Sequence, residues 1–164
     1  MAALFTLERL KKQIGYDQIA EERRSYTLQG GSIYYVRDFM IRPADSSLPF
    51  IYFVSDDEVT SLEQLGFSEW HGHFDSKPTE AARVRAAIKL TRQLISHDFC
   101  CVEELNGDGK CRGSSILRPT GIPDTLTKDI RQLRRMFFGQ VAIIEPVDFS
   151  RYREDEHIFV ERKT

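Results

Sequence analysis

The side chains best suited to chemistry lie in one short stretch, GFSEWHGHFD, residues 66–75. Glu69, His71, His73 and Asp75 occupy every second position, and Trp, Gly and Phe stand between them. Successive side chains of a β-strand point to opposite faces of the sheet. The spacing therefore predicts a strand with one apolar face and one fully polar face.

The polar face has two interpretations. Two histidines at i and i+2 can reach one ion, and zinc or a divalent iron-type metal suits imidazole and carboxylate ligands. His71, His73 and Asp75 would then be ligands of a small metal-dependent hydrolase, with Glu69 as general base. A further ligand would come from a cysteine, His97 or His157. The other interpretation is the water-facing, partner-binding side of an antiparallel sheet, with no cofactor. We prefer it, because a His-x-His pair alone carries little information.

Two other patterns are weak candidates for a site. A calcium-loop pattern beginning at Glu104 has Ser115 at its twelfth position, where a bidentate glutamate is required. The three cysteines lack the sequence context of a catalytic nucleophile and are typical of small core residues, with one thiol of the adjacent pair inward and one outward. They are Cys100, Cys101 and Cys111.

Charged clusters are predicted to lie on the surface. The acidic groups at 56–58, at Glu103 and Glu104, and at 154–156 are interpreted as turn and surface features that can meet a basic protein. The basic residues of a predicted helix over 124–138 are interpreted as a solvated face rather than a patch for an acidic partner. They are Lys128, Arg131, Arg134 and Arg135.

Composition limits the class of protein. The 164 residues predict one domain over 1–164, long enough to bury a core without disulfides. A net charge of −2 argues against direct nucleic-acid binding, which needs a strongly basic face. No apolar run approaches the ~20 residues that span a bilayer. The odd cysteine count and the lack of a signal-peptide pattern predict a reduced, cytoplasmic protein.

Periodicity and turn residues predict the elements that position these side chains. Helices are predicted over 4–24 (interrupted at Gly15, with a second short helix from Asp17 to Arg24), 78–96 and 124–138. Strands are predicted over 32–43, 48–55, 66–75, 140–147 and 156–163, with an ambiguous segment at 59–65. Residues 99–117 predict a hairpin that sets Glu103 opposite Arg112. We therefore expect a single α+β domain with a mostly antiparallel sheet, a long central helix, and flanking N-terminal and C-terminal-half helices.

About a quarter of the chain also resembles a known group of proteins. Gly66 to Asp75, then Glu80-Ala81-Ala82, then Phe99 to Leu105 resemble small bacterial immunity proteins of polymorphic-toxin and contact-dependent growth inhibition systems. The resemblance implies a non-catalytic protein that binds a cognate toxin domain in the cytoplasm and blocks it. The expected contacts are the polar strand face and the acidic turns: Glu69, His71, His73, Asp75, Glu103 and Glu104. An oligomeric scaffold or regulatory module, and a homodimer, remain alternatives.

Overall fold

The computed structural model describes residues 2–149 and contains two antiparallel sheets and two helices. In chain order the elements are α1 (Leu7–Ile14), β1 (Ile19–Thr27), β2 (Ile33–Ile41), β3 (Ile51–Asp56), β4 (Leu62–Phe67), β5 (Trp70–Gly72), α2 (Glu80–Ile95), β6 (Cys100–Asn106), β7 (Cys111–Leu117), β8 (Ile130–Met136) and β9 (Ile143–Pro146). The first sheet is a meander in the order β1-β2-β3-β4-β5, and the second has the order β7-β6-β8-β9.

The predicted architecture of one sheet with a long central helix and flanking helices is wrong. Residues 19–24, predicted as helix, belong to β1, and residues 130–136 of the third predicted helix form β8. A β-bulge explains the second error. Leu105 pairs with Gln132 but Asn106 pairs with Ile130, so Arg131 is an extra residue in β8. The bulge places Ile130 and Leu133 on the same side, a spacing of three that imitates a helix.

Capping residues fix the ends of the two helices, and α1 begins at Leu7 instead of at the predicted residue 4. The Thr6 side chain accepts a hydrogen bond from the Arg9 backbone N–H (3.3 Å) at the start of α1, and Gly15 ends α1 with φ 75°. The Thr79 hydroxyl accepts from the Ala82 N–H (3.2 Å) and starts α2, within one residue of the predicted start. No helix in the described part of the chain is long and apolar enough to cross a membrane.

Two apolar clusters lie on opposite faces of the second sheet. The larger one joins the inner face of the first sheet, α1, α2 and one face of the second sheet, and includes the Phe5 and Phe39 rings, whose centroids are 5.0 Å apart. The smaller cluster lies under the segment that leads from β7 to β8. Cys101 belongs to the first cluster and Cys100 to the second. Strand β6 is therefore buried on both faces, and the prediction of one outward-facing thiol is wrong.

Two local predictions require correction. The 99–117 hairpin is confirmed as β6 and β7, but Leu105 pairs with Cys111 at the turn and a bulge follows at Arg112, so Glu103 lies opposite Ser114 instead of opposite Arg112. Residues 66–75 are not one strand, because Phe67 pairs directly with Trp70 across a two-residue turn. The ambiguous segment 59–65 enters β4 at Leu62, and the predicted strand over 156–163 lies outside the described residues.

Candidate protein-binding surface

The four polar residues of the 66–75 stretch are exposed, but only one lies in a strand. Glu69 occupies the β4–β5 turn, His71 lies in β5, and His73 and Asp75 follow β5. The His71 and His73 rings meet edge to face with centroids 5.3 Å apart. His73 Nδ1 lies 2.7 Å from the Glu63 carbonyl oxygen, and Asp75 forms a 3.6 Å ion pair with Arg83. The histidines are therefore neighbours, while Asp75 points to α2.

No third ligand joins this pair in the described part of the chain. Within residues 2–149, no three His, Cys, Asp or Glu side chains are grouped so that they could hold an ion. Of the predicted further ligands, His97 Nε2 lies 2.6 Å from the Phe138 carbonyl oxygen, and His157 falls outside the described residues. The His71, His73 and Asp75 ligand set therefore gains no support from the structure.

Glu103 is buried, so its prediction as a surface residue is wrong. Its side chain is 0% exposed. One oxygen accepts hydrogen bonds from the Ser68 hydroxyl (2.5 Å) and the Glu69 backbone N–H (3.3 Å), and the other forms an ion pair with Arg134. Glu103 thus connects the second sheet to the β4–β5 turn of the first. Arg134 is correspondingly a paired residue of β8 and not part of a helix face.

Glu104 is also buried, on the opposite face of β6. It accepts a 2.9 Å hydrogen bond from the Thr125 hydroxyl and packs against Gly113, where an added Cβ would lie 2.6 Å from Oε2. Burial raises the pKa of Glu104, and the Thr125 hydrogen bond partly opposes this rise. Neither glutamate is available to a partner in this conformation.

The cysteines do not have the environment of nucleophiles. Burial raises the pKa of all three thiols, most strongly that of Cys101, which also lies near the negative charge of Glu103. A reactive cysteine needs a lowered pKa, because the thiolate is the nucleophile. The interpretation of these residues as core side chains fits this finding.

Exposed apolar side chains are concentrated on a feature that the sequence did not identify as a site. Strand β2 pairs with β3 only from Val36 onward, whereas its pairing with β1 continues to Ile33. Residues 25–35 therefore extend beyond the first sheet as a two-stranded arm, which we call the β1–β2 arm. Its exposed large apolar residues, between 37% and 58% accessible, are Tyr26, Leu28, Ile33, Tyr34 and Tyr35.

The arm is continuous with the histidine pair along one face of the first sheet. This outer face, opposite the core, carries Tyr26, Tyr34, Tyr52 and His71 by strand alternation and pairing. The Tyr34 hydroxyl lies 3.4 Å from a Glu63 carboxylate oxygen, and the Glu63 carbonyl is the group that contacts His73. A single surface thus extends from the arm to the exposed end of β5.

The outer face includes a buried carboxylate, that of Asp38. Its Oδ2 forms a 2.7 Å ion pair with Arg24, while Oδ1 has no hydrogen-bond partner among residues 2–149. Burial raises the pKa of Asp38, and Arg24 opposes that rise. Burial likewise raises the pKa of Tyr52, and the negative charges of Asp38 and Glu69 add to it. These groups lie among the aromatic side chains and give the surface polar positions that can fix a partner's orientation.

The base of the arm is held by ion pairs on the inner face. Arg23 donates to both oxygens of Asp57, at 2.7 and 2.5 Å, and its guanidinium lies 4.0 Å from the centre of the Tyr35 ring. Arg37 forms a 2.7 Å ion pair with Glu21. The hydrogen bond from Arg23 is the main cause of the lowered pKa of Asp57. Ion pairs therefore connect neighbouring strands at the point where the arm extends beyond the sheet.

Comparison of the chain with protein-family models, with curated proteins and with solved structures finds no match. The resemblance of residues 66–105 to bacterial immunity proteins stays a prediction. What the structure adds is a surface of defined composition and position.

Proposed function

We propose that this protein is a toxin-neutralising immunity protein that binds a cognate bacterial toxin domain in the cytoplasm and blocks it without catalysis of its own. The observation that carries the proposal is the cluster of exposed aromatic and aliphatic side chains on the β1–β2 arm. Contiguous exposed apolar groups with a polar surround mark protein-binding sites, and tyrosine is enriched at the residues that dominate binding energy. The resemblance of residues 66–105 supports the choice of a toxin as the partner.

The arm suits a binding role on energetic grounds. A tyrosine provides a large contact area for the loss of only two side-chain torsions. The arm's strands are already paired, so little backbone entropy is lost when a partner docks. Glu63 lies beside Tyr34, and Glu69, His71 and His73 lie farther along, in and around β5. These four residues can form the polar rim of the same interface.

Co-expression with the polypeptide encoded immediately upstream of this gene tests the proposal. The full-length chain is expected to protect cells from growth arrest by that polypeptide. Tyr34→Ala is expected to weaken binding by about 30-fold, the effect of losing a hot-spot side chain worth roughly 2 kcal/mol. Binding is measured by calorimetry with a catalytically inactivated form of the toxin.

Strand β9 offers the matched control. Ile143 and Ile144 are 50% and 55% exposed, comparable to the arm residues, but lie at the edge of the other sheet. The double change Ile143→Ser/Ile144→Ser is expected to leave protection intact. Equal loss of protection in both variants would refute the assignment to the arm, and absence of protection by the unmodified chain would refute the function itself.

A further inference from the structure

We propose that the chain forms a two-fold symmetric dimer in which β1 of one copy pairs antiparallel with β1 of a second copy, centred on Arg23. The inference goes beyond the proposed function and does not depend on it. It starts from the edge of the first sheet. Strand β1 is the outermost strand, its nine residues pair with β2 without a bulge, and every residue after Ile19 is exposed. An edge of this length without Pro or a bulge is a template for another strand.

The hydrogen bonds of β1 show which groups face the open edge. The Gln18 carbonyl accepts from the Arg42 N–H (2.9 Å), and the Leu28 N–H donates to the Ser32 carbonyl (2.8 Å). Even-numbered residues of β1 therefore direct their backbone groups toward β2. By the alternation of an antiparallel ladder, the N–H and C=O groups of odd-numbered residues from Glu21 to Thr27 point outward, whereas the Ile19 N–H donates to the Asp17 carbonyl (2.8 Å).

Symmetry and length then select one register. With a two-fold axis perpendicular to the sheet, the outer faces of the two copies lie on the same side. Even-numbered residues therefore lie opposite even-numbered residues, and odd-numbered residues opposite odd-numbered residues. With the axis at Arg23, the middle of β1, Ile19 opposes Thr27 of the second copy and all nine residues pair. Arg23, Glu21 and Ser25, whose backbone groups point outward, then fall in hydrogen-bonded pairs.

Charge favours the same register. On the outer face, Glu22 of each copy lies opposite Arg24 of the other, in a non-hydrogen-bonded pair where side chains approach most closely. Moving the axis by one residue, which slides the strands by two residues relative to each other, brings Glu22 opposite Glu22 or Arg24 opposite Arg24 instead. The like pair that remains is Arg23 with Arg23, and each of these guanidinium groups already donates two hydrogen bonds to Asp57 of its own chain. Arg24 also has partners in its own chain, Asp38 at 2.7 Å and Glu22 at 3.6 Å. The contact of Arg24 with Glu22 of the second copy extends this network across the interface.

The dimer is tested with the full-length chain by sedimentation velocity over a range of protein concentration. The expected result is a reversible monomer–dimer equilibrium. Glu22→Arg places arginines opposite each other twice per dimer and is expected to raise the dissociation constant about tenfold or more. Asp108→Arg makes the same charge change at an exposed residue of the β6–β7 turn, in the other sheet, and should leave the constant unchanged.

Cross-linking tests the register, in a Cys111→Ser background. Glu21 lies opposite Ser25 of the second copy, at a Cα separation of about 5.5 Å that a disulfide spans. A mixture of the Glu21→Cys and Ser25→Cys variants should form a disulfide-linked dimer under mild oxidation, and neither variant alone should do so. A chain that sediments as a monomer throughout overturns the proposal. A dimer that is insensitive to Glu22→Arg, or a mixture that fails to cross-link, overturns it equally.

Discussion

The carboxylate of Glu103 is expected to be a main support of the contact between the two sheets. It is fully buried in β6 and receives hydrogen bonds from the Ser68 hydroxyl, the Glu69 N–H and Arg134. In Glu103→Gln one side-chain oxygen still accepts from Ser68 and Glu69, but an amide nitrogen faces the guanidinium. The substitution keeps the size of the side chain and removes the ion pair. Its effect therefore isolates the charge.

The size of the effect follows from the surroundings of Arg134. Removing one partner of a fully buried ion pair costs about 3–5 kcal/mol, because the other charge is left without compensation. The Arg134 side chain is 33% exposed, so water partly solvates it after the substitution. We therefore expect a loss of about 2–3 kcal/mol in the free energy of unfolding. For a chain of this length, that loss lowers the melting temperature by roughly 5–10 °C.

Glu104→Gln is the matched control, one residue away in the same strand. Glu104 is nearly as buried, accepts from the Thr125 hydroxyl, and is paired with no cation in the described part of the chain. A glutamine can accept the same hydrogen bond, so the expected loss at neutral pH is below about 1 kcal/mol. Urea unfolding followed by the fluorescence of Trp70, the single tryptophan, measures both variants. Equal losses, or a larger loss for Glu104→Gln, would refute the assignment of the inter-sheet support to the Glu103 charge.

Three further predictions concern other buried groups. Burial raises the pKa of Glu104, so the folded state holds this proton more tightly than the unfolded state; as pH rises from about 4 to 7, wild-type urea stability should fall relative to that of Glu104→Gln. Cys111 is the partly exposed cysteine, so in the folded protein it alone should react with a thiol reagent, and it should react slowly because its pKa is raised. Mass spectrometry measures the labelling, and labelling of all three thiols without denaturant would contradict this prediction. Gly66→Ala should lower the free energy of unfolding by roughly 1–3 kcal/mol, measured by thermal unfolding, because the added Cβ overlaps the Tyr52 ring. Gly107→Ala, where the nearest atom is 3.9 Å from the added Cβ, should lower it less, and equal losses would argue against this packing.

The elements predicted well are those with a local chemical signal. Gly15 and Thr79 mark helix ends through a left-handed conformation and a backbone hydrogen bond that lie within a few residues of them, whereas the Thr6 cap is absent from the prediction, which begins the helix at residue 4. Strand β3 is predicted by a run of apolar residues, and the β6–β7 hairpin by the turn residues Asn106 to Gly109. In each of these cases the residues that determine the element are next to it in the chain.

The errors at longer range come from bulges and burial. A single extra residue, Arg131 in β8 or Arg112 in β7, shifts every later cross-strand pair, and nothing in the amino-acid type marks it. The burial of Glu103 depends on Arg134, 31 residues away, and on the β4–β5 turn. Glu103 and Glu104 are adjacent hydrophilic residues, and such side chains are usually exposed, so the sequence alone predicts the wrong environment for both.

The misassignment of β1 has a different cause, and that cause bears on binding. After Ile19 the strand buries no residue on either face, so it shows no alternation of apolar and polar side chains, and Ala, Glu and Arg are good helix formers. A strand exposed on both faces and along one edge is held mainly by its pairing with β2 and by the Arg23–Asp57 ion pair. Such a strand contributes little to the core, which leaves its side chains free to be selected for contact with another chain. Because β1 buries no side chain after Ile19, its sequence lacks the pattern by which a strand is recognised. The same exposure makes the β1–β2 arm and the β1 edge suitable as interfaces.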